Sequence, residues 1–185
     1  LPPRTTAAAL KARGARGIVL SGGPESVYAK GAPRCEKAVF DLGIPVLGIC
    51  YGMQLVTHLS GGKVVKAPHR EYGRADVLID DRSDLFKGIG AGGSSVVWMS
   101  HGDRIERMPK GFRSIAHTSN SPVAAMKSED AQRRIYCLQF HPEVVHTPRG
   151  KEMLANFVHG VCGCPGTWTP GNFIDETVEA IRAQV

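Results

Sequence analysis

The sequence predicts an α/β fold, a three-layer, open, mixed and largely parallel β-sheet flanked by helices and carrying extra antiparallel strands. Two observations carry that reading. Up to residue 60 the pattern alternates strand, helix, strand, helix, which implies parallel strands joined by crossover connections. Beyond Gly62 the spacing shortens to a series of brief apolar runs separated by turn residues, which adds strands without helices between them.

Taken in order, Thr5 or Thr6 can cap a short helix through Arg13, and Gly17-Ile18-Val19-Leu20 reads as a buried strand ending at the Ser21-Gly22-Gly23-Pro24 turn. A helix over about 33–42 follows, then the apolar run Ile44-Pro45-Val46-Leu47, then a helix over 52–60 stopped by Gly61-Gly62. Short strands are expected around Val64 and over 75–79, 96–99, 114–117, 123–126 and 135–140. Helices are expected over 148–161 and 172–183, joined by a linker at 163–171, with Trp168 and Phe173 as apolar anchors for the tail. These divide the chain into a main domain, 1–162, and a linker with a C-terminal helix, 163–185.

Length and composition bound the function. A chain of 185 residues that is 42% hydrophobic and 22% charged can bury the core of one domain. No run approaches the ~18 to 20 apolar residues of a membrane span, so a soluble protein without membrane contact is expected. The formal charge of +6 is spread along the chain and aromatic residues are only 6%, which argues against a nucleic-acid footprint. Five cysteines at irregular spacing (Cys35, Cys50, Cys137, Cys162 and Cys164) suit a reducing compartment, so a cytoplasmic location is expected. His159, Cys162 and Cys164 lack a fourth partner and the C-x-x-C spacing of a zinc knuckle. Packing is the better reading there, and no metal site is expected.

Gly48-Ile49-Cys50-Tyr51-Gly52 has the form of a nucleophile elbow, a tight strand-to-helix turn whose flanking glycines admit close backbone approach. A helix N-terminus facing the sulfur would favour the thiolate. Alone, the pentapeptide fits a buried strand-end cysteine equally well. Farther along, His141-Pro142-Glu143 follows the apolar strand Ile135-Tyr136-Cys137-Leu138. In extended backbone, residues two apart point the same way, so an imidazole base and an orienting carboxylate can share one side. That pair alone is more often a surface or metal-ligating motif. Together the segments supply a Cys50, His141, Glu143 triad, with backbone N–H groups of Tyr51 and Gly23 as the candidate oxyanion hole. An imidazolium beside Cys50 would lower its pKa enough for a standing thiolate at neutral pH.

These motifs resemble the class I glutamine amidotransferases, whose glutaminase domains carry G-x-C-x-G and a later H-P-E. The resemblance runs over nearly the whole chain and includes Ser21 to Ser26, Met53-Gln54 and Met99-Ser100-His101-Gly102-Asp103. Within the family it is closest to the GMP synthetase branch, on the S-G-G-P-E-S loop, Arg70-Glu71-Tyr72-Gly73 and the tail from Cys162 to Ile174. It implies a flavodoxin-like sheet, L-glutamine as substrate, and Gln54, Ser100 and His101 as substrate contacts. It also implies no cofactor in this domain, with ATP and Mg bound by a partner synthetase domain or subunit that aminates XMP, and dimerisation through that partner. Two departures stand out. The family's sheet begins with a strand and helix ahead of the position of Leu1, and Cys137 stands where relatives usually have a small residue, most simply as a small core residue. Two other readings keep the same residues: a non-catalytic docking or glutamine-sensing module, and a stand-alone thiol hydrolase of γ-glutamyl compounds. Intact Cys50, His141 and Glu143 argue against the first.

Overall fold

The structure, a computed structural model, describes residues 1–167 and 170–183. Helix α1 (Ala7–Ala12) begins where the Thr6 hydroxyl accepts the Ala9 amide at 3.2 Å, the local capping bond that its sequence suggests. Strand β1 (Ile18–Leu20) then lies beside β2 (Val46–Ile49), which passes through Cys50 into α2 (Tyr51–Leu59). A long ribbon of β3 (Lys63–Ile79) and β4 (Ser94–Arg107) follows, then β5 (Phe112–His117), β6 (Ala125–Ser128) and β7 (Ile135–Leu138). Helix α3 (Gly150–Ala155) runs into a wider π turn, Asn156–Val161, and α4 (Pro170–Arg182) ends the described chain.

The seven strands form one sheet in the order β1-β2-β7-β6-β5-β3-β4. Its parallel part is the set that carries the site, β1, β2 and β7, with Gly48 paired to Cys137 and Ile49 to Leu138. The remaining pairings are antiparallel. Alternation along β2 and β7 splits the core into two. Leu47, Ile49, Tyr136 and Leu138 join Met153 and Phe157 on one side, while Val46, Ile135 and Cys137 join Met53, Val56 and Phe40 on the other. Cys137 is thus the fully buried core residue that its position in a central strand suggests.

Three local expectations need correction. The segment 33–42 forms only a 3-10 turn, Lys37–Asp41, because its apolar residues Val39 and Phe40 are adjacent and one turn suffices to bury both. The short strands expected near Val64 and over 75–79 are one strand of 17 residues, and 96–99 lies in the first half of a strand of 14. Pairing between these two strands supplies the continuity that side-chain alternation hides, since the register shifts between Lys66 and Glu71 and Gly73 sits at φ +102°. Phe173 is about half-exposed and not a buried anchor, and Trp168 lies outside the described residues.

The crossing of β1, β2 and α2 is the tightest point in the fold. A Cβ on Gly52 would stand 2.1 Å from the Leu20 carbonyl oxygen, and one on Gly48 would stand 2.8 Å from the Gly52 carbonyl carbon. Both clashes are with backbone, which no rotamer change relieves. Gly52→Ala should therefore destabilise the fold by about 2 to 3 kcal/mol, the range of a forced overpacking. Gly92→Ala, where a Cβ meets nothing within 4 Å, should stay within about 0.5 kcal/mol. Urea melts of the two variants make the comparison.

Candidate active site

Cys50 is held at the end of β2 by its own amide, which donates to the Leu138 carbonyl at 2.7 Å, and by the first α2 bond, from Gln54 N–H to Cys50 O at 3.1 Å. Pinned on both sides, it takes φ +49°, a left-handed conformation that a non-glycine residue adopts only under constraint. Its side chain is nearly buried, at 4% exposure. The sulfur faces three polar groups. The Ser100 carbonyl lies 3.6 Å away and accepts from the thiol, the Gln139 side-chain amide lies 3.8 Å away, and the Tyr51 backbone N–H donates to it.

His141 follows β7 and is clamped through its backbone. Its N–H donates to the Trp98 carbonyl at 3.0 Å, and its carbonyl accepts from the Thr147 hydroxyl at 2.6 Å. The Trp98 N–H in turn donates to that hydroxyl at 3.0 Å, so one threonine ties β4 to the loop behind the imidazole. Glu143 Oε1 lies 2.7 Å from His141 Nδ1, which fixes the proton on that nitrogen and directs Nε2 away from the carboxylate. Nε2 is buried and has no hydrogen-bond partner. A Cβ on Gly22 would lie 2.9 Å from His141 Cε1 and 3.6 Å from Cys50 Cβ, so the glycine loop closes over both residues at once. Gly23 lies beside the Tyr51 ring, which brings the two proposed oxyanion donors to the same corner.

An open cleft of about 540 Å³ lies in front of this corner. Cys50, His141, Gly23, Gln54, Ser100 and His101 all line it, so one concavity gathers residues spread over more than a hundred positions of sequence. Gln54 is buried and its Nε2 donates to the Asp103 carbonyl at 3.1 Å, which leaves its carbonyl oxygen for other contacts. His101 is only 3% exposed, with Nδ1 3.0 Å from the Asp103 carbonyl and Nε2 3.0 Å from Glu71 Oε2. Both ring nitrogens thus face acceptors within the protein, and a neutral ring can donate to only one of them at a time. Glu71 also accepts from Thr118, at 3.1 Å, and from Ser121. Burial lowers the His101 pKa, and it outweighs Glu71, which acts in the opposite sense. The sequence reading missed Glu71, Thr118 and Ser121 as supports of the Ser100 to Asp103 wall, because only strand pairing brings them to it. It also missed Gln139, which stands two residues before His141 in the same motif.

One electrostatic expectation changes. Burial pushes the Cys50 thiol up to about 11, the charge of Glu143 adds to it, and the Tyr51 N–H and Gln139 amide only partly offset it. The thiol hydrogen bonds to the Ser100 carbonyl, and burial works against a standing thiolate because a buried anion needs a compensating cation in place.

Comparison with known proteins identifies the family. The family model for glutamine amidotransferase class-I matches residues 1–161. The chain belongs to the class I glutamine amidotransferases. Among relatives of this amidotransferase chain, a protein of Lachnospira eligens named GMP synthase [glutamine-hydrolyzing] is 50% identical over 182 residues, or 98% of this chain and 34% of that protein. A Wolinella succinogenes protein of the same name is 52% identical over 181 residues, covering 96% of this chain and 34% of its own length. The amidotransferase chain thus spans about a third of the curated relatives it matches. Among solved structures, a Thermoplasma acidophilum protein, provisionally described as one subunit of GMP synthase, superposes with a TM-score of 0.72 at 31% identity, over 88% of this chain and 79% of that one. A Thermotoga maritima glutamine amidotransferase shares the fold, with a TM-score of 0.60 at 23% identity over 78% of this chain and 61% of that one.

The raised thiol pKa sets a measurable pH dependence. In the absence of substrate, alkylation of Cys50 by iodoacetamide should climb about tenfold per pH unit from neutrality toward a midpoint of about 11, since only the thiolate reacts. Peptide mass spectrometry at Cys50 gives the rate. A plateau already reached at pH 7 would mean a standing thiolate after all.

Proposed function

We propose that this chain is the glutaminase part of a GMP synthase, hydrolysing L-glutamine so that the ammonia aminates XMP in an ATP- and Mg-dependent synthetase domain or subunit. The observation that carries the reading is the convergence of Cys50 with His141 and Glu143 beneath the glycine loop, since a thiol beside an imidazole whose other nitrogen is held by a carboxylate suits acyl transfer. The names of relatives about half identical over the whole chain support the synthase assignment. Cytoplasmic localisation, and dimerisation through the synthetase part, belong to the same proposal.

The residues divide the work as follows. Glutamine enters the cleft with its carboxamide at Cys50, and Gln54 and Ser100 hold the rest of the molecule. His101 contributes to that wall through its buried bonds to Glu71 and Asp103 rather than through a free ring nitrogen. His141 Nε2 takes the thiol proton as the sulfur attacks the carboxamide carbon. The resulting oxyanion accepts from the Tyr51 and Gly23 N–H groups. As the C–N bond breaks, the imidazolium returns its proton to the departing nitrogen, which leaves as ammonia. A water, deprotonated by His141, then cleaves the thioester to glutamate and restores the thiol. Glu143 holds the ring and balances its charge while it carries the proton. The proposed cycle itself uses no ATP.

Labelling the chain with a glutamine-mimicking diazo-ketone should add one adduct by intact mass, blocked by excess glutamine and lost in Cys50→Ala. In the complete synthase, Cys50→Ala should lower glutamine-dependent GMP formation by about ten-thousand-fold while leaving formation from added ammonium salts intact. Equal loss with both nitrogen sources would overturn the division of labour.

A further inference from the structure

Gln139 is a buried amide with no structural need to be one. Its backbone N–H donates to the Ala124 carbonyl at 2.8 Å, which completes the strand register whatever the side chain is. The side chain is 1% exposed, and its Oε1 is buried without a partner, a desolvation penalty that a leucine or methionine at this position would not carry. What the amide does make is the 3.8 Å contact from Nε2 to the Cys50 sulfur.

We infer that Gln139 is a further catalytic residue, whose Nε2–H donates to the Cys50 sulfur and stabilises the negative charge that forms there when the proton leaves for His141. The orientation of the amide follows from the proton count at sulfur. The thiol has one hydrogen, and it points to the Ser100 carbonyl. The lone pairs can then only accept, and turning the amide over would set an oxygen lone pair against them. Once the thiol proton moves to His141, the Ser100 carbonyl is left facing an anion and becomes repulsive. The Gln139 amide and the Tyr51 N–H are the two donors that keep a favourable contact with the charged sulfur. Gln139 therefore contributes more to the charged state than to the stored thiol, which is the condition for accelerating the step.

This inference rests on Cys50 being the nucleophile, but it can be tested without turnover. Cys50 alkylation by iodoacetamide is followed against pH in the unsubstituted full chain and in Gln139→Met, which keeps the volume and removes the donor, with thermal melts as the folding control. The thiol midpoint should rise by about one unit, so that alkylation at a fixed pH below both midpoints falls about tenfold. Gln139→Glu, a near-isostere that places a carboxylate at the sulfur, should shift the midpoint at least as far. An unchanged profile in either folded variant would assign Gln139 to packing alone. If neither variant folds, the Gln139 side-chain amide protons of the unsubstituted chain decide the matter by NMR, either titrating with the Cys50 midpoint or remaining indifferent to it. A failure of glutamine turnover with the alkylation shift intact would count against the glutaminase reading and not against this contact.

Discussion

The constraint on which the rest depends is the backbone crossing between Leu20, Gly48 and Gly52. Because β1, β2 and the first turn of α2 approach closer than any Cβ allows, the chain between the two glycines has one way through, and Cys50 takes the left-handed conformation that this route imposes. The consequences spread outward. The sulfur is thrown clear of β2 toward the Ser100 wall, and the Tyr51 amide is presented to it. The loop leaving β1 is brought down onto His141. A looser crossing would let Cys50 relax to ordinary strand backbone and would separate the sulfur from the imidazole without touching either residue.

Storing the sulfur as a neutral thiol fits that geometry. A buried cysteine with a carboxylate nearby is a poor place for an anion, and the pKa rises accordingly. The buried imidazole Nε2 makes no hydrogen bond to offset this. Reactivity is thus conditional on whatever moves the thiol proton from the Ser100 carbonyl to the imidazole.

Much of the Cys50 and His141 half was legible in the sequence because each part is local. Glycines flank Cys50 within five residues, and His141 and Glu143 stand two apart at the end of a strand, so the two motifs together, though neither alone, name the residues that the fold brings together. Thr6 as a cap and Cys137 as core were legible for the same reason. The substrate wall was not. Ser100 to Asp103 are supported by Glu71, Thr118 and Ser121 through pairings between distant strands, and the ribbon that makes those pairings hides its period at the Lys66 to Glu71 register shift and at Gly73. Resemblance to a family pointed to His101 but could not say that its ring faces inward. The burial that works against a thiolate was not legible either, since it depends on the whole fold and the motif shows only the helix terminus.

The electrostatics of the triad make sense only when followed through the proton transfer. With a neutral imidazole, the charge of Glu143 reaches the sulfur unopposed and disfavours its ionisation. When the proton moves, that charge is balanced by the imidazolium 2.7 Å away, and the sulfur at the end of the helix faces a net-neutral ion pair instead of an unopposed carboxylate. One carboxylate thus opposes the thiolate before transfer and supports the ion pair after it. Donors that do not change state during the step, the Tyr51 and Gln139 amides, bias the balance toward the charged form throughout. Fixed dipoles set how far the equilibrium lies from transfer, and the mobile proton decides when it is crossed.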